Sequence, residues 1–377
     1  MSSDFTDQAA AGPQSLLAAT LHVDLGRDWR GGQGQALLLM QGLLRRGHKA
    51  ELVAVRGSPL AAKALAGGIP VHHVMPRAPR LHAAILLRKL LGRGRAGLVH
   101  CHDAHALTAA WLAGAHRRAS VVASRRLAFP LSRNPWGLAR YRSARRIAAV
   151  SCFVRESVLA SGLPPDQVEV VYDGVELPPV PSPEEKARAR RAWSPDSQGA
   201  LVGCVGYLLP EKGQEALVRA MPIVLQARPG SRLLLAGDGP CRPHLERLAA
   251  ELGVERAVRF AGHVVDVVSV YRALDAFVFP SLAEPLGSSL LAAMAHGLPC
   301  VAVARGAVPE IIEDGLNGLL AQAPEPSELA SRVILLLEDM PLRLRLGEAA
   351  RQTIERRFTA DHMVEATIDL YRRILRG

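Results

Sequence analysis

Short apolar runs alternate with longer amphipathic stretches along most of this chain. Apolar runs without internal polar alternation read as strands buried on both faces, and stretches with apolar positions three and four apart read as the helices that cover them. On this pattern strands are predicted at residues 16–23, 50–55, 71–74, 98–101, 120–123, 147–150 and 168–171. A second series is predicted at 201–206, 231–236, 258–261, 276–279, 299–303 and 318–320. Helical periodicity marks 34–46, 213–226, 241–251 and 288–296, and then runs through the tail from 327 to 375. Repeated strand–helix alternation predicts an α/β chain with parallel sheets covered on both faces. The alternation breaks once, at 173–199, where a proline cluster, a short charged helix and a Pro–Asp–Ser turn mark a domain boundary. The expected architecture is therefore two doubly wound, Rossmann-like domains facing a central cleft, at 15–180 and 181–360, after a disordered lead at 1–14. In such sheets ligands sit beyond the carboxyl ends of the strands, so motifs that follow strands carry the functional argument.

Composition narrows the class. A chain of 377 residues suits two domains, and 49% hydrophobic content supplies two cores. No apolar run approaches the roughly 18 residues of a membrane span. The polar, acidic start lacks the basic and apolar regions of a secretory signal, so a cytoplasmic protein is expected. Cys101, Cys152, Cys204, Cys241 and Cys300 are scattered, with no C-x-x-C spacing, so neither a disulfide framework nor a bound metal is expected. The net charge of +11 is uneven: residues 1–179 hold 23 Lys and Arg against 11 Asp and Glu, and the rest holds 23 against 24. A basic first half suits an anionic partner such as a lipid-linked phosphate, an acidic saccharide or a phospholipid surface. Aromatic content of 4% leaves few stacking platforms, and no nucleic-acid partner is expected.

Several strand-end motifs carry candidate chemistry. In DLGRDWRGGQG, Gly31 and Gly32 allow close approach of an anion to the backbone at a helix start, or simply form a tight turn. The G-x-G-x-x-G spacing of a dinucleotide site is absent. In GYLLPEKG, Gly206 ends a strand and Lys212 enters a helix where an ammonium can meet a diphosphate. AGDGP at 236–240 reads as a sharp structural turn. The long run from Pro280 places Glu284 in a loop, Gly287, Ser288 and Ser289 at a helix start, and Arg305 and Glu310 around a second expected helix start after the next strand. Two helix N-termini, each with a carboxylate nearby, suit a polyol phosphate. VHCHDAHA crowds His100, His102, Asp103 and His105 after a strand. Asp103 suits a helix cap, and His102 with Asp103 suits proton handling or an acceptor contact; the crowding also offers metal ligands, but no helical i, i+4 pair is completed by a distant partner. Arg125 and Arg126 end the next strand at the same edge.

With these motifs, and with AFVFPSLAEPLG, AMAHGLPCVA, GAVPEIIEDGLNGLL and YDGVE, the chain resembles the retaining glycosyltransferases of family 4, which have the GT-B architecture. The resemblance implies a nucleotide-diphosphate sugar as donor, held mainly by the C-terminal domain, with the acceptor on the N-terminal domain and no metal. By residue match, Lys212 would bind the diphosphate and Glu284 the donor sugar hydroxyls. Gly287 and Ser288 would serve sugar and phosphate, and Gly31 and Gly32 would approach the donor or acceptor. The resemblance also implies that helix 361–377 packs back on the first domain. Two departures stand out: Tyr207 replaces the arginine of the family pattern, with Arg305 a candidate substitute, and Ala292 replaces a second glutamate assigned to the nucleotide ribose.

The expectation is an enzyme that moves a sugar from a nucleotide-diphosphate donor, with retention, to a lipid-linked, lipopolysaccharide or polysaccharide acceptor in envelope glycan synthesis. The alternative is a non-catalytic sugar- or nucleotide-binding relative, suggested by Tyr207 and Ala292. The interrupted apolar and basic segment at 78–97 fits peripheral contact with the inner face of the membrane, or an ordinary packed helix with a basic outer side.

Overall fold

The computed structural model describes residues 19–94, 96–132, 134–195 and 199–376. The lead at 1–14 and the start of the first expected strand lie outside these residues. Seven strands form the first sheet: β1 (Thr20–Asp24), β2 (Ala50–Val55), β3 (Val71–Val74), β4 (Leu98–Cys101), β5 (Ser120–Arg125), β6 (Arg146–Ala149) and β7 (Val168–Val170), in the order β3-β2-β1-β4-β5-β6-β7. Six form the second: β8 (Leu201–Val205), β9 (Arg232–Ala236), β10 (Val258–Gly262), β11 (Ala276–Phe279), β12 (Cys300–Val303) and β13 (Leu319–Ala321), in the order β10-β9-β8-β11-β12-β13. The recorded pairings within both sheets are parallel. The strands predicted from apolar runs match these to within a few residues. That follows from burial, which writes apolar runs into most of these strands, with polar exceptions such as Thr20, His22 and Asp24 in β1 and His72 and His73 in β3.

Helix starts are fixed locally by side chains that take up otherwise unpaired backbone N–H groups. Ser58, Ser151 and Asp339 cap their helices in this way. Ser182 and Glu185 form a reciprocal capping box on Pro183–Trp193, the charged helix expected at the domain boundary. The core of the second sheet is a single apolar cluster that runs from Val202 and Leu217 through Leu233, Val278 and Val301 to Leu336 and Leu346.

The chain divides into two compact units: one of residues 1–124, 139–147 and 364–377, the other of 125–138 and 148–363. Residues 148–180 fall with the second unit, where Ser151 Oγ donates to the Pro285 carbonyl at 2.6 Å and the Glu310 carboxylate holds Cys152, Phe153 and Tyr172. The tail belongs to the first unit through three ties. Val364 lies so close to Gly42 that a Cβ there would meet it at 2.3 Å, Arg46 pairs with Glu365 at 2.6 Å, and Tyr371 bonds His100.

Candidate active site

In each sheet the strand order reverses at one point, between β1 and β4 in the first and between β8 and β11 in the second. The carboxyl ends flanking such a point open a crevice where doubly wound sheets bind ligands.

At the second switch point, the loop after β8 makes one 3-10 turn, Pro210–Lys212, before the helix Gln214–Ala227. Gly213 joins the two at a φ of 69°, and a Cβ there would lie 2.1 Å from the Pro280 carbonyl oxygen, so only glycine lets the loops after β8 and β11 approach this closely. Leu282 N–H then bonds the Glu211 carbonyl at 2.8 Å. This stitching brings Lys212 Nζ to 2.7 Å from Glu284 Oε2, and Ser281 Oγ donates to the same oxygen at 3.0 Å. The Glu284 side chain is 9% exposed and that of Lys212 28%, so the pair is shielded but reachable. Gly306, at a φ of 58°, packs on the Glu284 backbone, whose carbonyl accepts from Ala307 N–H at 3.0 Å. Gly287 opens the helix Ser288–Ala295 without a side-chain cap, with Ser288 exposed and Ser289 half-buried in its first turn. A cation, a carboxylate and a helix N-terminus beside one another can take a diphosphate and the hydroxyls of an attached sugar.

The first switch point holds a cluster of histidines. Strand register sets His22 of β1 beside His100 of β4, and His102, two residues on, shares that face. The three are buried. His22 Nδ1 lies 2.9 Å from His102 Nε2, and His22 Nε2 lies 3.2 Å from Thr20 Oγ1, whose proton goes to the Lys49 carbonyl. The hydrogen-bond chain thus assigns the Nε2–H tautomer to both His22 and His102. Burial lowers the His22 pKa to about 3, which keeps the ring neutral. His100 is held between Ser124 Oγ at 2.8 Å and Tyr371 OH at 2.5 Å. These nitrogens lie within 4.8 Å of one another, a spacing that invites a metal. Two tetrahedral ligands at about 2.0–2.1 Å from a zinc ion would stand about 3.3 Å apart, however, and the 2.9 Å contact is that of a hydrogen bond. The cluster as built is a polar network.

Other expected site residues are placed differently. Gly31 and Gly32 lie not in a loop but in the first turn of the helix Gly31–Arg45, three residues earlier than expected. The reason is Gln33, whose side chain accepts from Arg30 N–H at 3.2 Å and donates to Asp24, closing a cap that glycine content alone did not reveal. Asp103 follows its capping reading: Oδ1 accepts from His105 and Ala106 N–H at 2.6 and 2.9 Å, and Oδ2 from Leu25 N–H at 2.6 Å. With three backbone donors on it, this carboxylate is a structural anchor and the catalytic reading of Asp103 is corrected. Arg126 lies 3.0 Å from both oxygens of Asp173, whose carboxyl burial pushes up while the guanidinium pulls against it. Arg125 is buried and donates to the Phe129 carbonyl at 2.5 Å. Neither arginine is presented as an open cation for an acceptor.

The second helix start, expected at 306–310, is a single 3-10 turn, Val308–Glu310. Asn317 explains the stop, because its side-chain amide donates to the Ile311 carbonyl and accepts from Glu313 N–H, ending the turn. Glu310 accepts from Phe153 N–H and Cys152 N–H at 2.8 Å each and from Tyr172 OH at 2.9 Å. It therefore clasps backbone rather than facing the Lys212 site. Arg305 is exposed, and among the described contacts none joins it to Lys212 or Glu284. The motifs did not single out Ser281, His22 or Gln33. For His22 a signal existed, a histidine between the apolar Leu21 and Val23 of β1, in register with His100 of β4 and near the His102 that follows it.

Two family models match, glycosyl transferases group 1 over residues 185–353 and glycosyltransferase family 4 over 29–177. The chain is 28% identical over 363 residues to an uncharacterized glycosyltransferase of Methanocaldococcus jannaschii, covering 89% of this chain and 92% of that one. It is 32% identical over 193 residues, about half of each chain, to the GDP-mannose-dependent monoacylated alpha-(1-6)-phosphatidylinositol monomannoside mannosyltransferase of Corynebacterium glutamicum. Among solved structures it is similar to Anabaena HepE, crystallised with UDP and glucose, at a TM-score of 0.83 and 21% identity, covering 94% of this chain and 99% of that one. That likeness speaks for the fold, two Rossmann-like domains of the GT-B class. With a separate model matched to each half and the strand-end motifs in place on two doubly wound sheets, the chain belongs to the group 1, family 4 glycosyltransferases.

Proposed function

We propose that the protein transfers a sugar from a nucleotide-diphosphate donor, with retention at the anomeric carbon, to a lipid-linked, lipopolysaccharide or polysaccharide acceptor used in envelope glycan synthesis. The observation that carries this reading is the Lys212–Glu284 pair at the switch point of the second sheet, beside the uncapped start of Ser288–Ala295. An ammonium and helix N–H groups stabilise the departing nucleoside diphosphate, which is the main electrostatic task of the reaction. The Anabaena and Corynebacterium relatives support a nucleotide-sugar donor by what they are crystallised with or depend on. The phosphatidylinositol mannoside in the latter's name supports a lipid-linked acceptor.

The reading extends to a cytoplasmic protein that meets the membrane surface. No helix among the described residues is long and apolar enough to cross a membrane. The helix Pro79–Gly92 buries Ala83, Leu87 and Leu90 but exposes Leu81, Ile85, Arg88 and Lys89, a basic and apolar strip suited to anionic lipid. Sedimentation at low salt with anionic vesicles, but not with neutral ones, supports this contact; equal indifference to both sinks it.

The deciding assay is release of nucleoside diphosphate across a donor panel, with product mass identifying sugar and acceptor. Tyr207 and Ala292 favour a second reading, a binding protein without turnover. Calorimetric binding of nucleotide sugars with no release from any of them would establish that reading instead.

A further inference from the structure

Resting on the donor-site reading, we propose that Ser281 is a positioning residue for Glu284: it holds Oε2 when Lys212 turns to the donor diphosphate, and so reserves Oε1 for the donor sugar hydroxyls. The two oxygens of Glu284 are not equivalent. Lys212 Nζ and Ser281 Oγ both reach Oε2, at 2.7 and 3.0 Å. No described hydrogen bond or ion pair reaches Oε1, and it is not among the buried, unpartnered polar atoms.

The backbone on which this carboxylate stands is fixed, since its carbonyl accepts from Ala307 and Gly306 is packed against it. What remains soft is the terminal torsion of the glutamate, which is broad and roughly two-fold. Two donors on one oxygen remove that freedom. Lys212 cannot remain one of them without cost, because the ammonium that pairs with Glu284 in the ligand-free protein is also the cation for the diphosphate. When Lys212 turns to the phosphates, Ser281 is the donor left on Oε2. Ser281 is suited to this: it is 1% exposed, and its hydroxyl has one proton, for which the only other described acceptor, the Glu211 carbonyl, is farther off at 3.4 Å.

The inference separates nucleotide from sugar. Binding of UDP, UDP-glucose, GDP and GDP-mannose is measured by calorimetry on the full chain and on Ser281→Ala, Ser281→Thr and Lys212→Ala. Ser281→Ala is expected to leave the affinity for the bare diphosphate within about twofold and to weaken the matching nucleotide sugar about tenfold. Ser281→Thr, which keeps the hydroxyl, is expected to recover most of that loss, whereas Lys212→Ala weakens both ligands. Ser281→Ala weakening UDP and UDP-glucose equally, or changing neither, overturns the proposal. Failure of Ser281→Thr to recover anything, in a protein that still melts cooperatively, overturns it as well. Binding without turnover in the wild type would defeat the transferase reading while leaving this one standing, and no binding of any of the four defeats both.

Discussion

The two switch points occupy equivalent places in two sheets of similar winding, yet they are built from opposite chemistry. Between β1 and β4 lie three buried histidines: His22 bonds His102 and a threonine, and His100 bonds a serine and the tail tyrosine. Between β8 and β11 lie an ammonium and a carboxylate, shielded but not sealed. A buried network of this kind cannot change partners without breaking hydrogen bonds that water does not replace, which suits a framework. An ion pair with one open carboxylate oxygen can trade its partner for a ligand, which is why the donor site is proposed there. Position in the fold alone does not distinguish the two; desolvation and partner count do.

The comparison can be broken most directly at Glu284. Glu284→Ala is expected to lower donor turnover by about ten- to a hundredfold, since a hydrogen bond to a charged group contributes about 1.5–3 kcal/mol. Nucleoside diphosphate release measures this, and near-normal release would move the chemistry elsewhere. The framework is tested next by acid. The unfolded chain protonates His22 below about pH 6.5, while the folded chain resists until about pH 3, so the unfolded state binds more protons in that window and stability falls as pH falls. The expected loss from this ring is about 1.4 kcal/mol per pH unit below about pH 6. His22→Asn should flatten the dependence of Tm on pH between about 6 and 4, and an unchanged slope would show that the ring is not held neutral.

Smaller effects sharpen the contrast. Tyr371→Phe removes the hydroxyl from His100 and should cost about 1–2 kcal/mol in denaturant unfolding, with no change in donor affinity. Asp103→Ala should cost about 1 kcal/mol, the worth of a helix cap, and leave turnover per folded molecule within a few-fold. A hundredfold loss of turnover in a stable Asp103→Ala protein would restore the catalytic reading of that carboxylate. The smallest expected effect is a gain: Ala292→Glu should tighten nucleotide binding by up to about tenfold if a carboxylate there reaches the ribose.

Legibility from sequence followed the range of the forces involved. The strands, their two series and the change of pattern at 173–199 were readable because burial on both faces writes continuous apolar runs. Lys212 and Glu284 were marked as candidates because strand-end loops in a doubly wound sheet carry the ligand chemistry and the family motif marks both positions. The cap on Asp103 was readable too, but its tie to Leu25 and the partners of Arg126 and Glu310 were not, because each depends on a group distant in sequence: Leu25, Asp173 and the Cys152–Phe153 N–H groups.

By itself, then, the sequence determined the fold class and the family, and marked Lys212 and Glu284 as separate candidates, since periodicity and local motifs carry that information within a few residues of chain. Only the tertiary structure decided which polar groups are anchors and which remain open. That choice rests on hydrogen-bond partners 70 to 160 residues away, as between Lys212 and Glu284 or Cys152 and Glu310, and on the burial that folding imposes on them. A carboxylate's role is set by how many donors already reach it, and no local pattern records that count.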